Sequence, residues 1–131
     1  MSGSFMIKHF IAMLGLAFGM IVGEVDRLLF ALIIFVCIDY LTGVIDAIYT
    51  KTLSSEVGYK GICKKVCIFM LVAVANIVDV YVIGSGAAVR SMVIFFYLAN
   101  EGISILENIS KLGIPIPEKL ADILKNLDKE D

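Results

Sequence analysis

Four apolar runs, at about 5–23, 28–49, 64–83 and 87–106, are each long enough to cross a bilayer. Inside lipid, backbone N–H and C=O groups must pair within the protein, so runs of this length read as helices. The chain is therefore expected to be an all-α integral membrane protein with four transmembrane helices. The breaks "GEVDR" and "GSG" are short, which predicts two antiparallel hairpins joined by the longer "TKTLSSEVGYKGICKK". Composition agrees: 60% of the 131 residues are hydrophobic and only 18% charged, too few to cover a soluble domain of this size. The net charge of −2 and the lack of a basic patch argue against a nucleic-acid partner. The first run also has the size of a signal-peptide core, but no small-x-small cleavage motif follows it.

Lysine and arginine placement sets the expected orientation. The long loop holds Lys51, Lys60, Lys64 and Lys65, whereas the first holds only Arg27, beside Glu24 and Asp26. The long loop is thus expected in the cytoplasm, and four spans bring both termini to the same side. Residues 1–112 form the transmembrane domain and 113–131 a cytoplasmic tail. After a turn at Gly113–Pro117, Leu120, Ile123, Leu124 and Leu127 fall on one stripe of a short amphipathic helix. Such a stripe can lie on the bilayer or cover the bundle's cytoplasmic end.

The polar residues inside the spans are the candidate functional positions. Asp39 lies near the middle of the second run, where an aspartate costs ~2.5–3.5 kcal/mol on insertion scales. Asp46 is two turns further on, with Thr42 and Gly43 between them, so one polar face turns away from lipid. That face either lines a pore or subunit contact, or holds a carboxylate bonded to a neighbouring helix. Asp79 and Arg90 flank the "GSG" turn and are expected to form an intramembrane ion pair, the alternative being that both snorkel outwards. Asn100 and Glu101 lie in the inner half of the fourth run, where Lys64 or Lys65 can partner Glu101. Gly15, Gly19 and Gly23, four apart, make a helix-packing groove whose partner is either within the chain or in another copy. Cys37, Cys63 and Cys67 read as free thiols acting as small apolar residues. No nucleophile–base pair, phosphate loop or metal-ligand spacing is present, so neither an enzyme nor a cofactor or metal site is expected.

Several stretches resemble one family. "DYLTGVIDAI", "LSSEVGYKGICKK", "VRSMVIFFYLANEGISILENI" and "GIPIPEKL" are similar, in order, to the toxin-secretion/phage-lysis holins of clostridial and bacillar phages, from about Leu28 to Leu127. The resembling positions are Asp39, Tyr40, Thr42, Gly43, Ser54, Ser55, Gly58, Gly61, Lys64, Lys65, Arg90, Asn100 and Glu101. The resemblance implies a bacterial cytoplasmic membrane protein that binds lipid, homo-oligomerises and opens lesions. An endolysin or a toxin would be the passing cargo, and an antiholin a possible partner. The tail departs from the pattern: it ends acidic, in "NLDKED", where such tails are commonly basic. A constitutive small ion channel or transporter, or a non-conducting regulator such as an antiholin, are the alternatives.

Overall fold

A computed structural model of the chain describes residues 2–129; the acidic end of the expected tail, Glu130 and Asp131, lies outside them. The elements in order are α1 (Ser2–Val22), α2 (Arg27–Tyr49), α3 (Ser55–Ile77), α4 (Ala88–Lys111) and α5 (Glu118–Lys125). A π-helical turn, Val78–Ile83, prolongs α3, and a 3₁₀ turn, Leu127–Lys129, follows α5. Four helices, the third counted through its π turn, are long and apolar enough to span a membrane.

Local chemistry sets the helix ends. The Asp26 carboxylate accepts the Leu29 N–H and starts α2; the Ser54 hydroxyl accepts the Val57 N–H and starts α3. That cap moves the start of α3 to Ser55, upstream of the expected 64. Lys60, Lys64 and Lys65 are therefore helical rather than loop residues, and only Lys51 remains in the turn. Gly84, at φ 89°, closes the π turn in a left-handed conformation that other residues adopt at a cost.

The core gathers where α2, α3 and α4 meet: Leu29, Leu32, Val36, Ile68, Val72, Ile94 and Leu98, with Val22 from the end of α1. α2 packs mainly on α4, and α3 also packs on α4. The first two spans are not a packed pair: among the described residues α1 lies on α3, through Phe18 against Phe69 at 6.3 Å between ring centroids. The cause is at its C-terminal end, where Asn76 Nδ2 donates to the Ile21 carbonyl and Arg90 Nε to that of Val22. Apart from Val22 and the half-buried Gly19, the side chains of α1 stay largely exposed, as suits a helix whose solvent is lipid.

Candidate functional site: two buried polar clusters

Buried polar and charged side chains fall into two groups, at opposite halves of the bundle. The first is built on the turn side from Asn76, Asp79 and Arg90. The π turn places Asp79 beneath the start of α4, where its oxygens accept the backbone N–H groups of Val89 and Arg90 at 3.1 and 2.8 Å. Asp79 thus caps α4, whose own preceding residue, Ala87, has no side chain able to do so. The Arg90 guanidinium turns the other way. Nε donates to the Val22 carbonyl at 2.8 Å, Nη2 to the Glu24 carbonyl at 2.7 Å, and Nη1 to Asp26 Oδ2 at 2.8 Å.

The expected Asp79–Arg90 ion pair is therefore replaced by Asp26–Arg90. The guanidinium's several donors match the carbonyls left open at the end of α1. Burial raises the pKa of Asp26, but the Leu29 N–H and then Arg90 outweigh it and hold the carboxyl below its ordinary value. Gly23 belongs to this cluster rather than to a glycine groove. Its φ is 91°, and a Cβ there would sit 2.8 Å from Asn76 Oδ1 and 2.9 Å from Arg90 Nε. Gly15 and Gly19 have nothing within 4 Å of a Cβ position.

The second cluster joins three helices. Lys65 of α3 points inwards and its ammonium bonds both Asp39 of α2 and Glu101 of α4. The two Glu101 oxygens lie 2.9 and 2.6 Å from Nζ. Asp39 and Glu101 are buried, at 6% and 4% exposure, so neither reaches water readily and each depends on this partner. Asn108 completes the cluster, its amide donating to Asp39 Oδ1 at 3.1 Å and to Thr42 Oγ1 at 3.0 Å. Gly43 faces the same amide, a Cβ there lying in ordinary contact at 3.6 Å from Asn108 Nδ2.

The other expected positions divide. Asp46 is half-buried, and its Oδ1 has no hydrogen-bond partner among the described residues. Asn100 is exposed and stands outside the cluster, as do Lys60 and Lys64. Asn108 escaped the sequence reading because it lies beyond the expected end of the fourth run at 106, whereas α4 continues to Lys111; its one helical signal is the seven-residue step from Glu101. Tyr40 lies across Gly58 and Gly61, its hydroxyl 3.4 Å from the Gly58 carbonyl and its ring 3.3 Å from a Cβ placed on Gly61. A cavity of about 230 Å³ opens between these glycines and the cluster, lined by Asp39, Tyr40, Gly43, Lys65, Ser104 and Asn108, among others.

Comparison with known proteins is consistent across the chain. An uncharacterized protein of Listeria monocytogenes is 46% identical over 92% of this chain and 83% of its own length. An uncharacterized 14.9 kDa protein of Clostridium perfringens is 44% identical over 95% of this chain and 94% of its own. A protein of Bacillus phage phi105 named a probable holin is 37% identical, over 83% and 79% respectively. No solved structure matches. The family description "Bacteriophage holin family" matches residues 16–129, the region that holds both polar clusters, and the chain belongs to that family.

Proposed function

We propose that the protein acts as a holin, oligomerising in the bacterial cytoplasmic membrane into lesions that let an endolysin, or a toxin, reach the cell wall. The observation that carries this reading is one ammonium, Lys65, shared by two buried carboxylates, Asp39 and Glu101, on three different helices. Within a single subunit the two carboxylates share this one cation, and Asp39 also accepts the Asn108 amide, so the protein can reside in lipid without conducting. Displacing any one of the three helices strands a charge in an apolar surrounding, and water is the remedy. Assembly into a water-filled lesion supplies it. The unmatched Asp46 oxygen on the same helix supports the same direction of change.

In this reading all four long helices cross the membrane, and the lysine-rich segment and both termini are cytoplasmic. The amphipathic tail is on that side as well. The residues transmit no chemistry; they set when the subunit gives up its internal contacts.

Induced expression with an endolysin present tests the reading, with culture density and membrane potential recorded together. Asp39→Asn keeps a hydrogen-bonding group of the same shape, and is expected to insert but lyse late. Asp39→Leu leaves Lys65 paired with Glu101 and is expected to accumulate without triggering. Lysis on the normal schedule by the Leu protein would remove any role for Asp39. Depolarisation from the lowest expression level would favour a fixed channel instead, and none at any level an antiholin.

A further inference from the structure

The tail-side half of the bundle has one outward face that suits lipid and one that does not. Depth there is fixed by the Lys65 cluster. Asp39 of α2 and Glu101 of α4 meet one ammonium, and Asn108 of α4 reaches Thr42 of α2, so the last turns of α2 and α4 lie side by side. Beyond that level α2 stays apolar outwards: Leu41, Ile45 and Ile48 are 59%, 52% and 58% exposed. The groove between α2 and α3 is lined by Cys37, Leu41, Ile62, Val66 and Phe69, among others.

The groove between α3 and α4 changes character along its length. In the turn-side half it is apolar, with Leu71 of α3 beside Met92, Val93, Phe96 and Tyr97 of α4. Towards the tail the same faces turn polar. On α4, Asn100 stands one turn past Phe96, and Glu107 and Lys111 continue its stripe at i+7 and i+11. On α3, Lys64 and Lys60 stand seven and eleven residues before Leu71, again on one stripe. All five are exposed. Helix α5, seated on α4 by Leu124 beside Gly102, adds the exposed Lys119, Asp122 and Lys125.

Two lengths show that one flat membrane boundary does not serve both sides. From Arg27 to Ile48, α2 provides about 33 Å of helix, enough for a hydrocarbon core of about 30 Å. From Ala88 to Ala99, before its polar stripe begins, α4 provides about 18 Å. A boundary set by α4 leaves Leu41, Ile45 and Ile48 in water. A boundary set by α2 puts Asn100 and Glu107 in hydrocarbon, and their short stems cannot snorkel out as lysines do. We propose that water reaches into the membrane along the α3–α4 groove and the outer face of α5, from the tail end as far as Asn100, while the α2–α3 side meets lipid at the same depth. Water then stands one residue from Glu101, which is itself turned inwards to Lys65. If the holin reading holds, this face is the wall of the lesion; the hydration does not rest on that reading.

The test uses the full chain in phospholipid vesicles, with Cys37, Cys63 and Cys67 replaced by alanine and one cysteine introduced at a time. The four variants are Asn100→Cys, Glu107→Cys, Leu41→Cys and Ile45→Cys, all at exposed positions that the packing does not use. A charged, membrane-impermeant thiol reagent is supplied on both sides. The first two are expected to react about a hundredfold faster than the last two, the penalty for bringing a charge into hydrocarbon. A nitroxide at each site should give the same contrast: relaxed by a water-soluble nickel chelate on α4, and by dissolved oxygen on α2. Four equal rates overturn the proposal. If all are fast, the boundary lies flat above them; if all are slow, every side of the bundle is in lipid. Release of a trapped dye is read separately. The contrast without release counts against the holin reading and leaves the water-facing side standing; release without the contrast overturns the water-facing side alone.

Discussion

Asp79 holds Arg90 by its backbone, not by its charge: Oδ2 accepts the Arg90 N–H at 2.8 Å while the guanidinium reaches the end of α1 and Asp26. One residue thereby caps a helix and its neighbour ties three segments together. The two roles are separable. In a double-mutant cycle measured by unfolding in detergent, Asp79→Ala and Arg90→Ala are expected to add, because the backbone bond survives loss of the guanidinium. Asp26→Ala and Arg90→Ala should couple by more than about 0.5 kcal/mol. Strong coupling of the 79–90 pair would restore a direct ion pair.

Lys65 is the most damaging single site for stability. Lys65→Met leaves Asp39 and Glu101 buried beside each other with no cation, and should cost about 3–5 kcal/mol. Adding Asp39→Asn and Glu101→Gln removes both stranded charges and is expected to recover most of that loss. Thermal unfolding of the four-helix protein in detergent reads both values. A single mutant as stable as the parent would mean that the carboxylates do not rely on Lys65.

Tyr40 and Gly61 should behave as a fitted pair. Gly61→Leu pushes a side chain into the space the tyrosine ring fills and should destabilise by about 1–3 kcal/mol. Tyr40→Phe loses only the long bond to the Gly58 carbonyl and should cost under about 1 kcal/mol. The order of the two values in the same unfolding assay is the check; a reversed order means the hydroxyl, not the ring, holds α2 to α3.

Gly15 and Gly19 face open space within one subunit, so Gly15→Leu or Gly19→Leu should leave subunit unfolding within about 0.5 kcal/mol of the parent. Any change then appears in crosslinked oligomers and lysis timing, which identifies a partner in another copy. Unaltered oligomers and timing would reduce the two glycines to permissive sequence.

Helix number and placement were readable because hydropathy is a property of consecutive residues. A run long enough to span lipid declares itself without reference to its neighbours, and the four runs correspond to the four long helices. The cost of Asp39 and Glu101 was also legible, since a carboxylate in an apolar run demands a partner wherever that partner comes from; Lys65 was one of two lysines within reach of Glu101.

Choosing among partners depended on tertiary structure. Whether Lys64 or Lys65 points inwards follows from the rotation of α3 about its axis, and spacing along one helix is silent on that. The sharing of Lys65 by Asp39 and Glu101 also needs three helices at matched depth. Arg90 has a side chain long enough to choose between Asp79 and Asp26, and the open carbonyls of Val22 and Glu24 decided it. Asn108 gained its role only when α4 was set beside Thr42 and Gly43. Hydropathy determined that these helices are long and apolar enough to cross a membrane; the relative rotation and depth of α2, α3 and α4 determined which polar groups meet, because a hydrogen bond is settled by a few ångströms that no sequence spacing records.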